Sequence, residues 1–153
     1  MRVILTGMLL VMSCQLWSQP IGTVSYSKGE VSVFRDTVLL PRAVDDQLEL
    51  LDRVVTGADG KFSGRLLDGS VIMLGVKSDF QFREYNWSED ATEASAVLDF
   101  FKGAFRAITG AIEEVPDRDF VVRTPVATIG IRGTDFWGGF IFGEQLDVTG
   151  LEG

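Results

Sequence analysis

One stretch combines the residue types that could do chemistry in this chain: Thr124 to Gly139, TPVATIGIRGTDFWGG, with four glycines, one arginine and two adjacent aromatic residues. Arg132 stands in a pattern typical of a β-strand, and its guanidinium offers up to five hydrogen-bond donors. A strand arginine either pairs with a carboxylate of the same fold or receives one from outside.

The alternation of this stretch predicts where each side chain points. If residues 126–136 form one strand, Ala127, Ile129 and Ile131 face the core. The opposite face then carries Thr128, Gly130, Arg132 and Thr134. Gly130 would leave a groove in which a neighbouring backbone or the guanidinium could lie, and Gly133 would permit a bulge.

Two roles follow for the segment as a structural or interaction motif. In the first, Arg132 pins strands together by pairing with a carboxylate such as Asp135, Asp119 or Asp68, and replacing it with Ala costs about 3 kcal/mol or more if the pair is buried. In the second, Arg132 receives a ligand carboxylate or an acidic side chain of a partner. The residues of the motif are Thr124, Pro125, Gly130, Arg132, Gly133, Thr134 and Asp135.

The aromatic residues allow a second kind of site. Trp137 and Trp87 are candidates for stacking on sugar rings, as in glycan binders. The alternative is that the aromatic residues of DFWGGFIF fill a sandwich core, with Phe136 and Trp137 on opposite faces of a covered strand and Phe140 on the same face as Phe142.

Composition excludes several classes of function. Asp and Glu number 22 against 14 Lys and Arg, a net charge of −8 that repels nucleic acid. The absence of histidine removes His-based catalysis and imidazole metal ligands. Neither a phosphate-binding glycine loop nor a spacing that selects a catalytic carboxylate pair is present. The sequence therefore predicts a non-enzyme with no cofactor and no metal site.

The amino-terminal segment 1–18 has Arg2, an apolar run and then small or polar residues, which is typical of a secretory signal peptide. A retained transmembrane helix is the alternative, but the run is shorter than the roughly 20 residues that span a bilayer. Cys14, the only cysteine, is either incidental or the site of lipidation in a bacterial lipoprotein signal. We expect a periplasmic or secreted protein, attached to a membrane only if Cys14 is lipidated.

From residue 21 onward, short β-branched runs alternate with Gly, Asp and Pro, which predicts strands and turns. Asp68-Gly69 indicates a tight hairpin with two positive φ angles. Phe80 and Phe82 should share a buried face. Residues 96–114 have helical spacing, but Gly103 and Gly110 favour a strand to about Phe105 and then a short helical turn near Thr109–Glu113.

Four stretches carry a resemblance to a known family: GTVSYSKGEVSVFR, LELLDRVVTGADGKFSGRLLDGSVIMLG, LDFFKGAFRAITG and VRTPVATIGIRGTDF. In this order they resemble the extracytoplasmic FecR domain family. The best-known members place the domain behind a cytoplasmic segment that controls a sigma factor. This sequence departs from that pattern, and it is more similar to stand-alone secreted FecR-domain proteins.

The resemblance implies an all-β module without catalytic residues. We expect a β-sandwich or roll of roughly ten to twelve short strands with one small helical insertion. It should occupy residues 19–153, and the ending LEG is typical of a truncated fragment. The expected function is docking onto an envelope protein or sensing a signal. Peptidoglycan or glycan binding is the alternative, and sigma-factor transmembrane signalling is a third.

Overall fold

The structure is a computed structural model that describes residues 19–40, 42–140, 143 and 145–152. These residues form fourteen strands and one short 3-10 turn, Ala111–Glu114. In chain order the strands are β1 (Pro20–Lys28), β2 (Val31–Arg35), β3 (Val38–Leu40), β4 (Gln47–Glu49), β5 (Arg53–Thr56), β6 (Lys61–Leu66), β7 (Val71–Leu74), β8 (Asp79–Asn86), β9 (Glu93–Lys102), β10 (Ala104–Ile108), β11 (Asp117–Arg123), β12 (Thr128–Gly130), β13 (Asp135–Gly139) and β14 (Asp147–Glu152).

The strands form two seven-stranded sheets. The order in the first sheet is β4-β1-β6-β7-β10-β13-β14, and in the second it is β3-β2-β5-β8-β9-β11-β12. Apart from β3 and β4, both sheets follow chain order from one end to the other, so the chain alternates between them as it advances. The predicted all-β class is confirmed, with fourteen strands instead of ten to twelve, because the three-residue strands β3 and β4 are too short to stand out in the sequence and residues 126–136 contribute to two strands, β12 and β13.

A single hydrophobic cluster fills the space between the sheets, and buried phenylalanines dominate it. Phe80 and Phe82 lie on the same face of β8, as their spacing predicts, with ring centroids 4.9 Å apart. Phe100 of the second sheet packs against Phe105 of the first, with ring centroids 4.7 Å apart. Alternation along each strand thus delivers aromatic rings from both sheets into one core.

The ambiguous segment 96–114 is strand followed by a short turn, as expected. β9 ends at Lys102 in the second sheet, and β10 begins at Ala104 in the first. The change of sheet takes place at Gly103, whose φ is +94°. A Cβ at that position would lie 2.5 Å from the Cα of Ser78, so only glycine fits.

A buried carboxylate fixes the β6–β7 hairpin. Asp68 is 5% exposed and accepts hydrogen bonds from the hydroxyls of Ser70 and Tyr85 (the latter 2.9 Å) and from the amides of Ser70 and Ile112 (3.3 Å each). It thereby ties the hairpin to the 3-10 turn and to β8. The predicted hairpin is confirmed, but only Gly69 has a positive φ, +86°, because Asp68 is held by these bonds in an ordinary conformation. Burial and the neighbouring carboxylate raise the pKa of the Tyr85 hydroxyl.

A second buried carboxylate holds an arginine of the second sheet. Asp52 is fully buried and binds Arg35 through two parallel bonds, Nε to Oδ1 at 2.8 Å and Nη2 to Oδ2 at 2.9 Å. Glu49 also contacts this guanidinium. The hydrogen bonds and charges of the two acids raise the pKa of Arg35, so its charge is secure.

Candidate functional site

The Thr124–Gly139 stretch begins with a tight turn that joins β11 to β12. The Thr124 amide donates to the Ala127 carbonyl at 2.8 Å, and the Thr124 hydroxyl accepts from the Ala127 amide at 2.9 Å. Pro125 follows at the position where its fixed φ favours a turn. Thr124 and Pro125 therefore shape the hairpin, and the tip they form exposes Val126 to 61%.

The prediction of one continuous strand over residues 126–136 is wrong. β12 ends at Gly130 in the second sheet, and β13 begins at Asp135 in the first. Gly133 has a φ of +126° within this crossing, which only glycine adopts readily. Thr109 holds the crossing, because its amide donates to the Thr134 carbonyl and its hydroxyl to the Gly133 carbonyl, both at 3.0 Å.

The crossing also changes the predicted faces. Ile131 is buried and Ile129 is half-buried, but Ala127 is exposed because it belongs to the turn. Inward alternation is thus kept for two of the three residues expected in the core. Thr128 and Gly130 lie on the exposed side, as predicted.

Arg132 does not pin strands together. It is exposed and makes no hydrogen bond or ion pair with any described residue. Two of its three expected partners are engaged elsewhere. Asp135 pairs with Arg106 through Nε at 2.8 Å and through a second, shorter contact, while Asp68 is enclosed in its own network. Hydrogen bonding to Arg106 lowers the pKa of Asp135.

Gly130 is a glycine that neither packing nor backbone strain requires. A Cβ built on it meets nothing within 4 Å, and its φ lies outside the positive range. Gly110 is different, because a Cβ there would approach the Asp68 carbonyl oxygen to 2.3 Å. The expected groove at Gly130 exists, but no part of the described chain fills it. In strands, such a glycine often marks the approach of a ligand or another backbone.

A polar cavity of about 200 Å³ opens beside Gly130. Three charged side chains in its wall have no partner among the described residues: Asp117, Asp119 and Arg132. Arg118 also lines it, but is bound to Glu113 at 2.7 Å, and this hydrogen bond raises the pKa of Arg118. The cavity is lined by Pro116, Asp117, Arg118, Asp119, Phe120, Gly130, Ile131 and Arg132.

Among the described strands, β12 is the edge of the second sheet and pairs only with β11. The bonds from the Ile131 amide to the Phe120 carbonyl and from the Thr124 amide to the Ala127 carbonyl fix the alternation of this ladder. In an antiparallel pair every second residue bonds its neighbour. Ile129 therefore bonds β11, and the backbone groups of Thr128 and Gly130 point away from the sheet.

The family model described as FecR protein matches residues 52–153, two thirds of the chain. The chain belongs to the FecR family. No curated protein and no solved structure matches it significantly. The matched FecR range contains the turn, the crossing and the cavity, while the GTVSYSKGEVSVFR stretch lies before it.

The two candidate tryptophans of the FecR chain lie in different places. Trp87 packs against the core and lines a cleft with Pro20 and Tyr85. Trp137 is half-exposed on the outer face of the first sheet, and its directly paired residue on the neighbouring strand β10 is Arg106. The expectation that aromatic residues of DFWGGFIF fill the core holds for Phe136 but not for Trp137, because no second layer of described residues covers that face.

The structure describes only some of the residues named in the remaining aromatic and membrane-related predictions. Phe140 stacks on Phe100 with centroids 5.9 Å apart and so belongs to the core. Phe142, Cys14 and the signal-like segment 1–18 lie outside the described residues. Among the residues that the structure does describe, no helix is long and apolar enough to cross a bilayer.

Sequence reasoning named Asp119 only as a partner for Arg132 and did not single out Asp117. Their signal was the pattern DRDFVVR, in which charges alternate at the start of a strand and then give way to apolar residues. Within the described parts of the chain, no group of three or more acidic, Cys or His side chains is arranged to hold a metal ion. The exposed carboxylates and the guanidinium at the cavity suit ion pairing and hydrogen bonding with a partner or ligand.

Proposed function

We propose that this FecR-family chain is a non-catalytic docking module that accepts an extended segment of an envelope protein along β12. The observation that carries the proposal is the pair of outward-pointing backbone positions, Thr128 and Gly130, on an edge strand with one neighbour. A partner strand would complete their hydrogen bonds by β-addition.

Two further features support docking at this edge. Gly130 leaves space above the strand, and Val126 offers an exposed apolar side chain at the hairpin tip. Arg123 and Arg132, both exposed and without described partners, lie beside the two ends of β12. A periplasmic or secreted location is part of the proposal and depends on the signal-like composition of segment 1–18.

Site-specific photo-crosslinking in cells tests the docking edge. A photoreactive residue at Thr128 should capture one protein, whereas the same residue at Arg65, exposed on the first sheet, should not capture it. Capture of the same protein from both positions, or from neither, would contradict the proposal.

Two neighbouring proline substitutions distinguish the loss of the docking edge from the loss of the fold. Thr128→Pro removes an outward amide and should abolish binding of the captured partner while leaving the unfolding transition in place. Ile129→Pro removes an amide bonded to β11 and should cost about 1–3 kcal/mol of stability. Binding that survives Thr128→Pro in a folded protein would refute docking by β-addition.

A second candidate is binding to peptidoglycan or another glycan, and one observation favours it. Trp137 stands beside an apolar groove of about 210 Å³ whose wall includes Met73 and the small residues Gly75 and Ala104. An aromatic ring next to a low surface suits sugar stacking. Retention on purified peptidoglycan, abolished by soluble muropeptides and by Trp137→Ala but not by an Arg65→Ala control, would support this role over docking.

A further inference from the structure

We propose that the cavity beside Gly130 binds a small molecule that carries both a carboxylate and an ammonium group, of the class of α-amino acids and free peptide ends. The site goes beyond β-addition, because Thr128 does not line the cavity. It uses the side chains of β11 and of the crossing, whereas docking uses the open backbone of β12.

The charges of the cavity set the chemistry of the ligand. Arg132 presents a planar guanidinium that matches a carboxylate through two hydrogen bonds. Asp119 and Asp117 present acceptors for ammonium groups. Within the described structure these three side chains bind neither one another nor any neighbour, although a carboxylate and a guanidinium line the same cavity.

The volume sets the size of the ligand. Pockets for drug-sized molecules measure about 300–1,000 Å³, so a cavity of about 200 Å³ admits a smaller molecule. Gly130 contributes to this space, because a side chain there would project into an unfilled region. The glycine is then explained by the ligand, since packing and backbone conformation do not require it.

Two carboxylates against one free guanidinium set a preference among amino acids. A diamino acid such as lysine places its carboxylate on Arg132 and its two ammonium groups on Asp119 and Asp117. Glutamate brings an excess of negative charge to the same wall. We therefore expect lysine to bind more tightly than alanine, and alanine more tightly than glutamate.

Titration of the purified chain, followed by NMR amide shifts, tests the site. Lysine and alanine should shift the amides of residues 117–119 and 130–132 saturably, and N-acetyl-lysine amide, which lacks both termini, should not. Free lysine and a lysine-containing dipeptide distinguish the two possible ligands. If only lysine binds, the ligand is a free amino acid. If the dipeptide binds equally tightly or more tightly, the ligand is a peptide end. Absence of saturable shifts with either would overturn the proposal.

Substitutions in the cavity test which side chains bind the ligand. Arg132→Gln and Asp119→Asn should each weaken lysine binding by at least about tenfold, because each loses a charge-assisted hydrogen bond. Gly130→Ala should also weaken it by filling the cavity. Arg65→Gln and Asp90→Asn, which alter exposed residues elsewhere, are the controls and should leave the affinity unchanged. Since Arg132 and Asp119 are exposed and have no partner in the described parts of the chain, all these variants should keep their unfolding transition, and equal affinity in folded Arg132→Gln would refute the site.

Discussion

The buried carboxylate of Asp68 offers the sharpest test of how the fold is held together. Replacing it with Ala removes the acceptor of four hydrogen bonds, two of them from the backbone amides of Ser70 and Ile112. The hydroxyls of Ser70 and Tyr85 can rotate to other acceptors, but the amides cannot. A buried amide without a partner costs about 1–3 kcal/mol, so Asp68→Ala should cost about 2–6 kcal/mol.

Asp68→Asn is a milder test of the same network, because the amide of Asn keeps the shape of the carboxylate. In either orientation its NH2 group faces one of the two backbone donors, and one amide loses its acceptor. The expected cost is about 1–3 kcal/mol, smaller than for Ala. Tyr85→Phe removes two hydrogen bonds from the same network, the one that the hydroxyl donates to the Asp68 carboxylate and the one that it accepts from the Asp68 amide, and should cost about 1–3 kcal/mol.

Urea unfolding followed by tryptophan fluorescence measures these differences, with the exposed Asp90→Ala as the matched control. The Asp68→Asn and Tyr85→Phe effects should be less than additive by more than about 0.5 kcal/mol, since both act on one network. If Asp68→Ala unfolds together with the parent and the control, the network does not hold the hairpin to the 3-10 turn, and the reasoning fails.

Three shorter predictions address the crossings and the surface. Arg132→Ala should change the free energy of unfolding by no more than about 0.5 kcal/mol, and a loss near 3 kcal/mol in the same urea assay would reveal a hidden internal partner. Gly103→Ala should destabilise by more than about 1 kcal/mol, because φ is +94° and the added methyl would meet Ser78; a thermal transition at the parent temperature would contradict this. The pKa of Asp135 is lowered by Arg106, so the stability that Asp135→Asn removes should be present above pH 3.8 and disappear as the pH falls further; a difference that is constant with pH would exclude this pair as its source.

Local patterns in the sequence were sufficient to predict the class of fold and several of its parts. Alternation placed Phe80 and Phe82 in the core, and Asp68-Gly69 marked a real hairpin. The two glycines of the segment 96–114 correctly outweighed its helical spacing, because Gly103 stands where the chain turns from one sheet to the other.

The crossing at residues 131–134 could not be predicted in the same way. A chain that passes between two sheets around one core keeps its apolar side inward, so the pattern of Ile129 and Ile131 resembles that of an uninterrupted strand. The crossing is held by hydrogen bonds from Thr109, which lies more than twenty residues earlier in the chain. Long-range contacts of this kind leave no local signal.

The alternation of the chain between two sheets bears on the way the protein is made. After β1 and β2 have begun the two sheets, each later strand pairs with a strand that has already been synthesised, at an open edge of one sheet or the other. Assembly can therefore proceed from the amino-terminal side as the polypeptide emerges, without waiting for distant segments. A nascent chain stopped after β10 should already protect its earliest strands from proteases.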